Sequence, residues 1–426
     1  ESTVNRILDL VQNAGENKAQ TENLISRFAR YYTPFVVFFA LGLAVLPTLI
    51  IPGAIFRDWL YRALVFLVIS CPCAFVVSVP LAYFGGIGGA SKRGILVKGG
   101  NYLEALDQVD TLVFDKTGTL TKGQFEVSEI IPAEDLADVS ETKLLELAAY
   151  AELHSTHPIA DAILKAYGQR PDSKKIKDTE EIAGKGVRVV AELDRGQVEI
   201  LAGNTKLLDQ FNVPYTAIDR AGTKVHVAMD GVYQGTVVIA DQLKEGVVEA
   251  IADLKNAGIK HTYILTGDNK AISEKVGEEL GVDQVFAELL PQDKVSRLEA
   301  IEKAKHQSSS KGKIGTVGDG INDAPLLARS DVGIAMGGLG SDAAIEASDI
   351  VIMTDEIDKL VTAKRIARKT NSIAKQNIVL ALGIKLVFLT LGALGMATMW
   401  QAVFADVGVT VLAVLNSTRA LLTKKL

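Results

Sequence analysis

Four short segments of this chain carry residue types that could move a phosphoryl group. Asp115 opens the string DKTGTLT (115–121) directly behind the apolar run TLVF (111–114). A carboxylate at the carboxyl end of a buried strand stands where open α/β sheets place their ligands. With Thr117 and Gly118 giving a tight turn, it can attack phosphorus and form an aspartyl phosphate. Thr266-Gly267-Asp268 follows the run TYIL (262–265) and can offer a hydroxyl and backbone N–H groups to phosphate oxygens. GDGINDAP (318–325) follows IGTV (314–317), and its Asp319, Asn322 and Asp323 are hard oxygen ligands suited to Mg²⁺. Lys294, in PQDK before a helical stretch, can neutralise charge developing on the transferred group. Each segment alone reads as a solvated turn; four at the strand ends of one sheet do not.

A second chemistry sits in apolar surroundings. Residues 31–56 and 63–91 hold no charged side chain, and 376–418 hold only Lys385 and Asp406. A bilayer core needs about 20 apolar residues per helix. The first two runs each fit one span, and the third fits two, with a break near Gly395–Gln401. The second run contains Cys71-Pro72-Cys73, the only cysteines in the chain. Pro72 removes a helix hydrogen bond, and two thiolates beside an opened turn suit Zn²⁺, Cd²⁺, Pb²⁺ or Cu⁺. Asp406 adds an oxygen that Zn²⁺ accepts beside sulfur. Lys385 cannot ligate while protonated, which makes it a counter-ion that helps expel the metal; a structural Lys385–Asp406 pair is the plainer reading. Two cysteines exclude a disulfide scaffold, and at i, i+2 on one helix they are poorly placed to bridge each other.

The elements that position these groups follow from the patterning. Besides the runs above, VGIA (332–335) and DIVIM (349–353) read as buried strands, with helical periodicity over 241–257 and 291–305. That alternation implies a doubly wound parallel sheet. Residues 128–238 interrupt it with a helical half (142–168) and a half of alternating strands and Gly turns (182–238), which reads as an insertion. Basic residues flank the apolar runs at Arg27, Arg30, Lys92, Arg93, Arg365, Arg368, Lys369, Lys375 and Arg419, placing 92–375 and both termini in the cytoplasm. The link 57–62 then faces outward. A net charge of −6 argues against a nucleic-acid partner. The expected boundaries are a lead-in helix at 1–30, two membrane helices at 31–91, a phosphorylation domain at 92–127 and 239–370, a nucleotide-binding domain at 128–238, two membrane helices at 371–421, and a tail at 422–426.

DKTGTLT, TGDN and GDGINDAP in this order, between membrane runs, resemble a P-type ATPase, whose catalytic domain resembles the haloacid dehalogenase fold. The resemblance implies a multidomain membrane protein: transmembrane α-helices plus a cytoplasmic α/β phosphorylation domain carrying an inserted α+β nucleotide-binding domain. It makes Asp115 the phosphorylated nucleophile, with Lys294, Thr266 and Asp268 around the phosphate. It gives Mg²⁺ to Asp115, the Thr117 carbonyl and Asp319, with Asn322 and Asp323 supporting. Related phosphatases have a second Asp where this chain has Thr117, and a Thr cannot act as a carboxylic acid–base. An aspartyl phosphate should therefore survive longer here. In the heavy-metal subgroup a similar His-Pro and Gly-x-Gly pair holds adenosine, which points to His157, Gly184 and Gly186, with Glu152, Gly203 and Asn204 beside them, as ATP contacts. The Cys-Pro-Cys helix, the Lys and Asp406-Val407-Gly408 are similar to the zinc/cadmium/lead branch. The Asn-Tyr and Met-Ser-Ser patterns of copper exporters are not found here.

The resemblance thus implies ATP-driven export of Zn²⁺, Cd²⁺ or Pb²⁺ by an integral protein of a bacterial inner or plasma membrane, with membrane lipid, ATP and Mg²⁺ as partners and cofactors. An actuator domain with its Thr-Gly-Glu loop is expected upstream of Glu1; Ala14-Gly15-Glu16 is not counted as that loop. A Cu⁺ exporter, a membrane-anchored phosphohydrolase using the same Asp115 chemistry, and an inactive assembly subunit are the competing readings.

Overall fold

The computed structural model describes residues 20–134, 136, 139–193, 196–218, 220, 222–307, 311–319, 323–337, 342–393 and 396–423. In chain order they begin with α1 (Gln20–Ile50), α2 (Phe56–Ser70) and α3 (Cys73–Ser91). Next come β1 (Ile95–Val97), α4 (Gly100–Gln108), β2 (Val109–Asp115) and β3 (Thr121–Pro132). The middle holds α5 (Glu141–Glu152), α6 (Pro158–Tyr167), β4 (Ile176–Ile182), β5 (Gly186–Leu193), β6 (Gly196–Gly203), α7 (Thr205–Gln210), β7 (Thr223–Met229) and β8 (Val232–Leu243). After these stand α8 (Val247–Asn256), β9 (His261–Leu265), α9 (Lys270–Leu280), β10 (Gln284–Phe286), α10 (Pro291–Gln307), β11 (Lys313–Gly318), α11 (Ala324–Arg329), β12 (Val332–Met336), α12 (Asp342–Ala347) and β13 (Ile350–Ile352). The chain closes with α13 (Asp358–Ala393), α14 (Met399–Val403), a π-helical turn (Phe404–Gly408), α15 (Val409–Ser417) and a final 3₁₀ turn. Two compact units result: one of 1–114, 248–263 and 290–426, the other of 115–247 and 264–289.

Among the described residues of the first unit, four stretches are long and apolar enough to cross a membrane: Arg30–Ile50, Phe56–Ser91, Asp358–Gly392 and Met399–Leu421. The second starts earlier than the charge pattern suggested, so 57–62 is helical rather than a loop. Asp58 lies in the first turn of α2, where a carboxylate meets the positive end of the helix dipole, and Arg62 folds over the Trp59 ring at 4.8 Å. Charges in the first two turns can reach the aqueous boundary, so a helix tolerates them there. The break expected near Gly395–Gln401 falls between Ala393 and Met399.

The expectation that Cys71 and Cys73 are poorly placed to bridge is corrected. Extended backbone at Cys71 (φ −60°, ψ 123°) separates α2 from α3, so the side chains no longer project from opposite sides of one continuous helix. Their Cα atoms lie 5.4 Å apart and the two sulfurs are joined as a disulfide in this structure.

The anticipated parallel sheet is present. β2, β11, β12 and β13 are parallel neighbours, β1 joins β13 antiparallel, and β9 then β10 extend the order beyond β2. β2 is buried along its whole length, as a strand covered on both faces must be. Phe114 and Val317 are register partners on the neighbouring strands β2 and β11.

The second unit is built on an antiparallel sheet of order β3-β8-β7-β6-β5-β4. Leu144, Leu147 and Ala148 of α5 and Ile163 of α6 pack on Val187, Val189, Ile200, Val225 and Val237. β8 runs on to Leu243, whose partner is Thr121. The helical reading of 241–257 therefore fails before Val247: strand pairing continues through Asp241, partnered with Phe125, and Gly246 at φ +73° marks the turn into α8. Of the lead-in expected at 1–30, residues 1–19 lie outside the described residues, as does Ala14-Gly15-Glu16.

Candidate functional site

Asp115 closes β2 and is 5% exposed. The turn behind it is held by main-chain bonds from Leu120 (3.0 Å) and Thr121 (3.2 Å) to the Lys116 carbonyl, with Gly118 at φ +75°. The Thr121 hydroxyl accepts from Gly118 N–H at 3.2 Å and lies against the Asp241 carboxylate, while the Lys244 ammonium donates to the Gly118 carbonyl. Burial holds the Asp241 carboxyl above its ordinary range. Lys116 is itself buried and forms an ion pair with Asp268. The Thr266 hydroxyl accepts from Asp268 N–H at 3.1 Å, which leaves its own hydrogen to donate outward. The second unit thus gathers Asp115, Thr117, Thr266, Gly267 and Asp268 onto two turns, each behind a strand. In the first unit, Lys294 at the start of α10 donates to Asp323 at 3.1 Å, and Asp319 and Asp323 bring carboxylate oxygens within 4.8 Å of one another. Asn322 lies outside the described residues.

The six residues named for adenosine, Glu152, His157, Gly184, Gly186, Gly203 and Asn204, all line one pocket of about 290 Å³ in the second unit. Ser155, Glu181, Lys185 and Lys224 line it as well, which spacing alone did not reveal. His157 caps α6: its Nδ1 accepts from Ile159 N–H at 3.3 Å, Pro158 follows at N1, and the exposed ring is held in one orientation. Asn204 donates to the Gly184 carbonyl at 2.9 Å and its N–H to the Lys185 carbonyl at 2.8 Å.

Two of the glycines are there for the backbone itself. Gly186 (φ +141°) faces Gly203 across β5 and β6, and a Cβ on Gly186 would stand 2.2 Å from the Ala202 carbonyl oxygen. Gly184 (φ +71°) has nothing within 4 Å of its would-be Cβ, so its open side faces free space. Gly186→Ala is therefore expected to lower stability by about 3 kcal/mol, from overpacking. Gly184→Ala should lower stability by only about 1 kcal/mol, the strain of a left-handed residue. Urea unfolding followed by circular dichroism would separate the two.

Glu152 is 6% exposed, and burial raises its carboxyl above the ordinary 4.5 despite Ser155 and His157 nearby. The folded state then holds the proton more tightly than the unfolded chain. Its contribution is fully present below the unfolded value and is lost as pH rises through the raised one. Glu152→Gln cannot ionise, so its unfolding free energy should decline less than the parent's as pH is raised through that window. Equal slopes in a pH series of denaturant titrations would refute this.

The third assembly lies within the membrane helices. Cys71 Sγ, Cys73 Sγ and an Asp406 carboxylate oxygen all lie within 4.8 Å of one another. Asp406 sits in the π-helical turn Phe404–Gly408, an irregularity that swings one side chain out of helical register. Lys385 donates to Asp406 at 3.2 Å, to the Ile69 carbonyl at 3.1 Å and to the Cys71 carbonyl. Those carbonyls are at the C-terminal end of α2, where interruption at Pro72 deprives the backbone of its usual partners. Lys385 therefore caps the broken helix as well as pairing with Asp406.

The haloacid dehalogenase-like hydrolase family model matches residues 109–331, just over half of the chain. A crystal structure of a zinc-transporting PIB-type ATPase in its E2.Pi state superposes with a TM-score of 0.80 at 36% identity, covering 98% of this chain and 67% of that one. This chain belongs to the P-type ATPases. The cadmium, zinc and cobalt-transporting ATPase of Bacillus subtilis (strain 168) is 58% identical over 424 residues, covering 100% of this P-type ATPase chain and 59% of the relative. The zinc-transporting ATPase of Synechocystis sp. (strain ATCC 27184 / PCC 6803 / Kazusa) is 54% identical over 419 residues, covering 98% and 57%. The chain thus spans about three fifths of the length of the curated relatives it matches.

Sequence reading of this P-type ATPase missed the supports rather than the principals. Lys116 stands inside DKTGTLT and drew no role of its own, although a lysine directly behind a buried strand already asks for a buried partner. Asp241 and Lys244, which brace the turn from β8, come from a stretch read as helix. The main-chain acceptors of Lys385 carry no side-chain signal at all.

Proposed function

We propose that this chain is the cation-binding and phosphorylating part of a pump that drives a soft divalent ion, Zn²⁺ and with it Cd²⁺ and Pb²⁺, out of the cytoplasm. The observation that carries this reading is the convergence of two sulfurs and a carboxylate inside membrane helices of a chain whose soluble edge presents Asp115. The cysteines serve as ligands in their reduced form, as two thiolates beside the Asp406 oxygen.

ATP enters by its adenosine end. A pocket of about 290 Å³ is near the lower bound for small-molecule sites, so it fits the nucleoside while the phosphates project outward past Lys185 and Lys224. The pinned His157 ring offers a stacking face. At the phosphorylation edge an Asp115 oxygen attacks the γ-phosphorus; the new O–P bond forms as the bond to the ADP oxygen breaks, and ADP leaves. Asp115, Asp319 and Asp323, with Asn322 and the Thr117 carbonyl, are an all-oxygen set that fits Mg²⁺. Bound there, the ion would offset charge on the phosphoryl oxygens. We assign Lys294 and the Thr266 hydroxyl to the same oxygens, and Lys116 pairs with Asp268. Thr117 supplies no acid–base, so the acyl phosphate persists until a further part of the protein directs water to it. We assign that step to an actuator domain of the longer protein.

Acid-stable labelling from γ-labelled ATP tests the reading, on the protein together with its upstream segment, comparing Zn²⁺, Cd²⁺, Pb²⁺, Cu⁺ and no added metal. Label requiring a divalent soft ion is expected. Label driven by Cu⁺ alone would move the pump to monovalent cargo, and metal-indifferent turnover would leave a phosphohydrolase.

A further inference from the structure

α13 carries two cations four residues apart, Lys364 and Arg368, and therefore on one face of the helix. Lys364 is 2% exposed, and its ammonium donates to three main-chain carbonyls: Leu106 at 2.8 Å, Asp107 at 2.9 Å and Val109 at 2.6 Å. An ammonium has three donors and all three are used. Nothing remains for a ligand, so its role is mechanical. The acceptors are the last carbonyls of α4 and the first of β2.

Arg368 repeats the arrangement one turn along. Its Nη2 donates at 2.8 Å to the Ala257 carbonyl, just past the end of α8. Gly258 behind it has φ +100°, and a Cβ there would stand 2.7 Å from that Nη2. Lys260 N–H donates to the Asp110 carbonyl at 2.7 Å, linking the two capped ends. A helix C-terminus presents unpartnered carbonyls and the negative end of the dipole, so each cation closes one such end.

Each capped helix leads into a strand of the phosphorylation edge. α4 runs into β2, which ends at Asp115; α8 leads to β9, which delivers Thr266-Gly267-Asp268. In the other direction α13 continues as one helix from Lys364 to Lys385, about 32 Å at 1.5 Å per residue. Lys385 touches Asp406 and the backbone beside Cys71. We propose that Lys364 and Arg368 form a two-point grip through which α13 passes the state of the membrane cation cluster to the two strands that present the phosphorylation residues. Both are positioning residues, and the inference rests on the pump reading above.

The test uses the full-length pump with Lys364→Met, Lys364→Arg, Arg368→Gln and the Met/Gln double variant. Three quantities are read: zinc-stimulated over zinc-free labelling from ATP, labelling from inorganic phosphate without zinc, and the thermal midpoint. For Lys364→Met the stimulation ratio should fall roughly 10-fold, a usual size for coupling between two sites, while labelling from inorganic phosphate stays within about two-fold. Lys364→Arg should restore most of the ratio, Arg368→Gln should lower it less, and the double variant should add little to Lys364→Met. Unchanged ratios in all variants would overturn the grip. So would parallel loss of both kinds of label with a lowered midpoint and no rescue by arginine, which is what a plain structural cap predicts. A parent protein without zinc-dependent label would overturn the pump reading and the grip with it.

Discussion

Asp115→Asn should remove acid-stable label from ATP, with turnover down by about 10⁴-fold or more, the usual consequence of deleting a nucleophile. Asparagine keeps the shape of the side chain and removes the charged oxygen that attacks phosphorus and would face the metal ion. Asp115 is 5% exposed, and asparagine is close to it in volume, so the substitution leaves the packing of the turn in place. The thermal midpoint should then stay close to the parent's while the label vanishes, and this combination distinguishes loss of chemistry from loss of fold. The Lys116–Asp268 pair and the Thr121 bracket do not depend on the Asp115 charge and should survive intact. Gel autoradiography at low pH, beside a melting curve, decides the matter; a variant that still labels like its parent would exclude Asp115 as the acceptor.

Cys71→Ser with Cys73→Ser should raise the zinc concentration needed for half-maximal labelling by upwards of about 100-fold, since even outer partners of a metal site are worth 10–100-fold. Serine is close in volume but presents a hard, protonated oxygen where a soft thiolate is wanted. The helix break does not rest on sulfur: Pro72 and the Lys385 contacts to the Ile69 and Cys71 carbonyls remain. Zinc-free labelling from inorganic phosphate should therefore persist. A zinc titration of label in the two proteins reads the effect, and coincident curves would remove the cysteines from the ligand set.

Much of this arrangement was legible because it is local. The strands behind Asp115, Thr266 and Asp319 announced themselves as apolar runs, and turn chemistry lies within a few residues of each. The six residues expected to contact adenosine met in one pocket, where Gly186 and Gly203 pair across neighbouring strands. Spacing could not show partnership across long separations. Lys116 finds Asp268 and Thr121 finds Asp241, each more than a hundred residues away, and Lys385 finds the Cys71 carbonyl more than three hundred residues away. Element ends were misread where two signals competed. Charge counting placed Arg57 and Asp58 in a loop although a helix start welcomes them, and the periodicity of α8 was extended back over the end of β8. The cysteines were judged as if the helix ran straight through Pro72.

The interrupted helix and its lysine also set an electrical condition on the cargo. With the cysteines as thiolates, the sulfurs and Asp406, within 4.8 Å of one another, carry three negative charges, and Lys385, 3.2 Å from Asp406, carries one positive. A divalent ion brings that assembly to neutrality, whereas a monovalent ion leaves one negative charge stranded where hydrocarbon surrounds the helices. The loaded site is then also indifferent to membrane voltage: a neutral cluster does no electrical work when its surroundings shift from one side of the field to the other. On the proposed assignment of Cys71, Cys73 and Asp406 as the cation ligands, valence is therefore a quantity this site weighs beside softness.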